Sequence, residues 1–179
     1  MNKADFKKYL DSLTYDKMYQ DIEYIDFIGY SECYKGWKNF KNLIEWKGKK
    51  VADLGSFHGY YAFKIAELGG IVTAMDRGDS TLDTIKILNE CYNSNVKTDY
   101  YTGGDILSDE YDIALCLNML HHCEDIDKTL ANMKPKTVIF EVKAENIDSI
   151  LKYFKILKRK VSHHGAENDK RAILLTERI

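Results

Sequence analysis

Residues 50–76, KVADLGSFHGYYAFKIAELGGIVTAMD, constrain the fold more than any other stretch of this chain. Val51, Ala52 and Leu54 form a short apolar run of buried-strand type. The loop GSFHG follows, where small residues let the backbone turn sharply and let a ligand come close. Residues 60–68 then repeat apolar side chains at helical spacing, and Gly69-Gly70 supply a stop. Residues 71–75 form a second apolar strand that ends at Asp76. A β-α-β unit with an acid roughly 20 residues past the glycines is how a nucleoside ligand is held. Loop amides and the helix N-terminus meet the polar middle of such a ligand, and the carboxylate meets its ribose hydroxyls.

The rest of the chain extends this unit. Phe6, Tyr9, Leu10, Leu13 and Met18 recur at three- and four-residue intervals, which predicts a helix from residue 2 to about 23. Residues 24–48 are rich in aromatics, with a helix predicted over 37–43. Tyr30, Tyr34 and Trp37 either line a substrate pocket, with Lys35 or Lys38 meeting an anionic group, or cover the sheet edge. Past Asp76, Ser80 is a candidate N-cap for a helix over 81–92, and residues 96–101 read as a weak strand before the turn at Thr102-Gly103-Gly104-Asp105. Residues 111–117, YDIALCL, are a buried strand, with a helix over 126–133 and a strand over 137–142 after Pro135. A further helix is predicted over 146–157. The end reads as a hairpin, 160–162 and 172–176, with His163-His164 solvated in its turn. Alternating strands and helices imply a doubly wound, mainly parallel seven-stranded α/β sheet with an antiparallel C-terminal hairpin. Ligands of such sheets lie beyond the carboxyl ends of the strands, and Asp53, Gly55, Asp76, Asp105 and Asn118 all fall at or just past those ends.

At 179 residues the length suits one compact domain, with 1–48 as a helical and aromatic cap on 49–179. The net charge of −2 gives no global basic field for nucleic acid, although lysines are spread unevenly enough for a local patch. The charged N-terminus is unlike a signal peptide, and no apolar run approaches the length of a membrane span. Cys33, Cys91, Cys116 and Cys123 have no CxxC spacing and read as thiols in a reducing cytoplasm. Adjacent His121, His122 and Cys123 are poorly spaced for tetrahedral zinc, so no metal is expected.

VADLGSFHG, TAMD, GGDI and YDIALCLNMLHHCED, in that order, resemble the four motifs of the class I S-adenosylmethionine-dependent methyltransferases over roughly residues 49–179. The terminal hairpin is similar to the reversed last strand of that fold. One departure is Phe57, which stands where the family's first motif has its middle glycine. A weaker likeness, carried by Gly36-Trp37-Lys38 and the Gly-Tyr after the loop, is to the tRNA wobble-uridine carboxymethyltransferases.

The resemblance implies S-adenosylmethionine as cofactor. Gly55, Ser56 and Gly59 would then form the loop under its methionine part, with Asp53 placed for the ammonium group. Asp76 would hold the ribose, Arg77 would lie along adenine, and Asp105 and Ile106 would flank it. Asn118 would stand close to where the methyl group emerges. His121 and His122 are the candidate general bases, needed only if the acceptor carries a proton near neutral pH; the bland alternative is that one of them caps or packs under the next helix. Asn118-Met119-Leu120-His121 replaces the Asn/Asp-Pro-Pro-aromatic run of amino-methylating relatives. The expected acceptor is therefore an oxygen, carbon or ring nitrogen on a small molecule, with tRNA as an alternative and Glu141 and Lys143 near the site. Two further alternatives are a catalytically silent cofactor-binding regulator and a nicotinamide dehydrogenase, the latter disfavoured by Phe57.

Overall fold

A computed structural model describes residues 1–14, 19–162 and 171–179 of the protein. Seven strands form one sheet: β1 Lys50–Leu54, β2 Ile71–Asp76, β3 Lys97–Tyr100, β4 Ile113–Leu117, β5 Thr137–Lys143, β6 Phe154–Val161 and β7 Arg171–Arg178. Their order is β3-β2-β1-β4-β5-β7-β6. Strands β1 to β5 are parallel, and β7 runs antiparallel between β5 and β6. This is the doubly wound sheet with a reversed hairpin that the alternating pattern implies. The order changes direction between β1 and β4, which opens a crevice at their carboxyl ends.

The pleat sorts the core onto two faces. Val51, Ile113, Leu115 and Ile139 join one apolar cluster, while Ala52, Leu54, Ala114, Cys116 and Phe140 join the other. Helices cover both faces: α1 Lys3–Ser12, α2 Cys33–Phe40, α3 Tyr60–Glu67, α4 Asp79–Tyr92, α5 Ile126–Asn132 and α6 Ile147–Leu151. Phe6, Leu10, Ile22, Phe40 and Trp46 bury into the first cluster, so these N-terminal side chains share the core on that face of the sheet. Full burial of side chains of this size contributes about 1.5–3 kcal/mol each.

Four expected elements differ from the structure. The N-terminal helix is capped by Asn2, whose side chain accepts the Asp5 N–H at 2.9 Å, but it stops at Ser12 rather than near 23. Asp21 explains much of this. Its two carboxylate oxygens accept the N–H groups of Gly29 and Tyr34 at 2.8 and 3.0 Å, a role that holds residues 21–34 in a folded-back loop. The same bond draws the second helix forward to begin at Cys33 and end at Phe40, ahead of the expected 37–43.

The helix expected over 146–157 ends at Leu151, and after a turn at Lys152-Tyr153 the chain enters β6. Phe154 and Ile156 point to the second apolar cluster, after which a register shift between Ile156 and Lys158 leaves Leu157 half exposed. Helix α4 begins at Asp79 with Gly78 as its N-cap, not Ser80, because the Asp76 side chain takes the Gly78 N–H at 3.0 Å and sets the turn. Met18 and the hairpin turn with His163-His164 lie outside the described residues.

Candidate functional site

A cleft of about 640 Å³ opens at the carboxyl ends of β1, β2 and β4. Its floor is the loop after β1. Gly55 has φ +66°, and a Cβ there would sit 2.9 Å from Met119 Cγ, so only glycine lets this loop pass under the segment after β4. Phe57 also adopts a left-handed backbone, φ +53°. Its N–H donates to Asp76 Oδ2 at 3.0 Å, and its ring meets Tyr19 edge-on with centroids 5.4 Å apart. Those two contacts are the physical account of a bulky residue at a glycine position.

The amides from Ser56 to Tyr60 are engaged within the protein. Ser56 N–H donates to the Met75 carbonyl, Phe57 N–H to Asp76, and Gly59 N–H to the Ser56 carbonyl. His58 and Tyr60 N–H both donate to Gln20 Oε1, at 3.0 and 3.4 Å. A pyrophosphate cradle needs such amides to face the ligand. This loop therefore suits a nucleoside without phosphates, and it argues against the dinucleotide alternative.

Two carboxylates stand over this floor with different environments. Asp76, at the end of β2, accepts from Phe57 and from Gly78, one bond per oxygen. Each carboxylate oxygen has a further lone pair for a ligand hydroxyl. Asp53, on β1, is almost fully buried. Its burial, and then the nearby Asp76 charge, push its carboxyl up to about 7 against a bond from the Ala62 N–H. Asp53 Oδ2, Ser56 Oγ and Tyr101 OH are buried with no hydrogen-bond partner among the described residues. All three residues line the cleft. Unmet polar groups of this kind suit a polar, cationic ligand above them.

Of the residues singled out from the sequence, Asp53, Gly55, Ser56, Asp76, Arg77, Asn118 and His122 line the cleft. Gly59, Asp105, Ile106 and His121 do not. Gly59 instead permits close packing, since a Cβ there would lie 3.2 Å from Ile85 and Phe63. Asp105 accepts the Thr102 N–H and hydroxyl, both at 2.8 Å, and these bonds hold its carboxyl below the usual range. It thereby shapes the Thr102-Gly103 turn, which does line the cleft. Ile106 is exposed, and His121 stacks on His122 with ring centroids 4.0 Å apart. Tyr30 lines the cleft mouth, whereas Tyr34 and Trp37 pack on the core; Lys35 pairs with Glu32 at 2.7 Å, and Lys38 lies over the Tyr34 ring.

Sequence reasoning missed Tyr19, Gln20, Tyr101 and Met119 as cleft residues. Tyr101 was detectable as an aromatic ending a strand, but nothing local marks Gln20 as the cap of a loop 38 residues away. The far wall is aromatic and neutral: burial raises the Tyr19 phenol to about 12 and the Cys33 thiol to about 11. Behind it, Asn118 donates to Glu141 at 2.7 Å and accepts from Arg171 at 2.6 Å, while Ser162 donates to the other Glu141 oxygen.

Residues 52–135 match a family model described as a methyltransferase domain. The match covers 84 of the chain's 179 residues and is a likeness to a methyltransferase domain over that stretch. A tRNA U34 carboxymethyltransferase of Campylobacter fetus is 33% identical over 117 residues, which cover 64% of this chain and 39% of that protein. A ubiquinone biosynthesis O-methyltransferase of Saccharophagus degradans is 34% identical over 88 residues, 46% of this chain and 36% of that one. The chain thus spans little more than a third of the length of these curated relatives. Among solved structures, a protein from Pyrococcus horikoshii OT3 superposes with a TM-score of 0.73 at 12% identity, covering 96% of this chain and 99% of that one. The magnesium protoporphyrin IX methyltransferase of Synechocystis PCC 6803, solved with bound S-adenosylmethionine, gives 0.68 at 17% identity, with 99% and 97% covered. These likenesses show that the fold is shared along nearly the whole chain. Among the described residues no helix is long and apolar enough to cross a membrane, and no three His, Cys, Asp or Glu side chains gather as a metal-holding group.

Proposed function

We propose that the chain is an S-adenosylmethionine-dependent methyltransferase acting on an oxygen, carbon or ring-nitrogen acceptor of a small molecule. The observation that carries this reading is the cleft floor itself: two carboxylates, Asp53 and Asp76, over a loop whose amides from Ser56 to Tyr60 are already engaged. When bound, the cofactor supplies a methyl group on a sulfonium. Asp76 would accept the ribose hydroxyls, and Asp53 would hold the ammonium group. Arg77 would meet the base from the cleft wall, with Asp105 shaping the Thr102-Gly103 turn and Ile106 at the outer rim. Residues 1–48 serve as the wall of the acceptor side, with Tyr19 and Tyr30 contributed from there. His122 is the candidate base facing the cleft, with His121 stacked behind it. The rest of the catalysis is positioning and exclusion of water. A cytoplasmic setting belongs to this reading.

Calorimetric titration with S-adenosylmethionine, S-adenosylhomocysteine and NAD tests it. Heat with both sulfur ligands and none with NAD is the expected outcome. Silence with both sulfur ligands from a folded protein contradicts it.

A second reading, carboxymethyl or methyl transfer to tRNA, is favoured by the identity to the Campylobacter fetus protein and by Lys155, Lys158 and Arg159, exposed along edge strand β6. Under the leading proposal a tRNA gel shift is absent or insensitive to salt. A shift that weakens steeply with salt, as phosphate contacts require, supports the second reading instead.

A further inference from the structure

We infer that the outer edge of β6 is a docking site for an extended acidic segment of a partner protein, which joins the sheet as a further strand. This goes beyond the methyltransferase reading and does not depend on it. β6 ends the sheet and pairs only with β7. Among the described residues no main-chain bond reaches its outer side. The eight residues Phe154–Val161 thus present free N–H and C=O groups to a strand laid beside them.

Charge along this edge selects the strand it admits. Lys155, Lys158 and Arg159 are exposed, and among the described residues none of them forms an ion pair or hydrogen bond. Glu177 lies opposite Lys155 on β7, yet its carboxylate pairs with Lys136 at 3.0 Å. Elsewhere Lys35, Lys86 and Lys152 close onto acids at 2.7, 2.8 and 3.0 Å. Lys160 is also engaged, donating to the Asn39 carbonyl at 2.7 Å. The register shift after Ile156 sets Lys158 opposite Leu175, on the face that Lys155 also takes. Arg159 stands opposite Leu174, on the other face. Cations therefore flank the edge on both faces of the sheet.

The second reading above offers these cations to tRNA, but their placement on two faces favours a strand. A polyanion lying on the sheet meets one face, whereas a strand in its plane meets both. Leu157 and Val161, 51% and 79% exposed, also interrupt the cations with apolar surface that phosphates do not use. Directly opposite side chains on paired strands lie about 4.5–5.5 Å apart, so acids pair with the cations while an apolar residue packs on Val161. A second copy of β6 is excluded by the same rule, because it crowds cation against cation. Lysines and bulges do guard an edge against its own kind. They leave it open to acids, however, and the opposite edge is guarded differently: in β3 the Asp99 side chain takes the Tyr100 N–H at 2.8 Å. Among the described residues β6 has no such internal cap.

The probe is a short fluorescein-labelled peptide of glutamate and valine with acids on both faces, titrated with the full chain and read by fluorescence anisotropy. Wild-type protein is expected to bind it. N-methylation of alternate peptide amides, which keeps every charge but removes main-chain donors, weakens binding about tenfold or more. Joint reversal, Lys158→Glu with Arg159→Glu, weakens it as much, and a peptide carrying lysine in place of glutamate then binds the variant but not wild type. If a thermal melt shows that variant unfolded, Lys155→Gln with Arg159→Gln replaces it, with a smaller loss. No binding by wild type, equal binding of the N-methylated peptide, or unchanged binding by the charge variants overturns the inference. A short uridine RNA that binds wild type and is lost in the same variants, while the peptide does not bind, overturns it in favour of RNA.

Discussion

Asp76→Ala lowers the affinity for S-adenosylhomocysteine by a hundredfold or more. Hydrogen bonds to a charged group contribute about 1.5–3 kcal/mol each, so two ribose hydroxyls on one carboxylate amount to roughly 3–6 kcal/mol. The substitution also frees the Phe57 and Gly78 amides, which the carboxylate holds at 3.0 Å each, and so loosens the loop and the start of α4 together. Asp76→Asn separates the two effects. Its one remaining oxygen still accepts from one amide and one ribose hydroxyl, so the expected loss is smaller, on the order of tenfold. Calorimetry reads the affinities, and a thermal melt checks that each variant is folded. An alanine variant that binds as well as wild type removes the ribose assignment.

Asp53→Asn makes the unliganded protein more stable at pH 8 while weakening its hold on the cofactor. The Asp53 carboxyl is raised to about 7 in the folded protein, above its ordinary value of 3.8, chiefly by burial. A group raised in this way stabilises the fold fully below its unfolded value, and that contribution is lost as pH rises through about 7. The difference corresponds to about 4 kcal/mol between the two ends of that window. Asparagine has no proton to lose, so the variant lacks this fall and is the more stable protein above pH 7. Chemical denaturation at pH 5 and pH 8 measures it: wild type weakens across the interval and the variant does so less. A cationic ligand is bound best by the ionised carboxylate, so wild-type affinity for S-adenosylhomocysteine rises toward pH 7 and then flattens, and the variant loses that rise. Equal pH profiles for the two proteins contradict the role given to Asp53.

Much of this was legible because the informative signals are local. Residues 50–76 encode strand, turn, helix and strand in one uninterrupted pattern, and the acids that matter fall where strands end. Two failures have one cause, which is that a distant partner overrode a local period. Residues 147–157 carry apolar side chains at helical spacing, yet β7 pairs with Phe154 onward, and the bulge at Leu157 breaks the alternation that would have marked a strand. The N-terminal segment looks like a long amphipathic helix, but Asp21 gathers the amides of Gly29 and Tyr34, and Gln20 reaches the loop at His58. Asp105 shows the limit at the site. The motif marks it as a cofactor residue, while its bonds to Thr102 decide that it shapes the turn without lining the cleft. The Asn118, Glu141 and Arg171 cluster brings together three separate strand ends, and no spacing in the sequence announces it.

A crystal structure with S-adenosylhomocysteine tests the central claim most directly. The expected result is a ligand in the cleft with both ribose hydroxyls within hydrogen-bond distance of Asp76, its amino group toward Asp53 and its sulfur on the Asn118 side. A ligand bound elsewhere, or one whose ribose meets other residues while Asp76 keeps only Phe57 and Gly78, contradicts it.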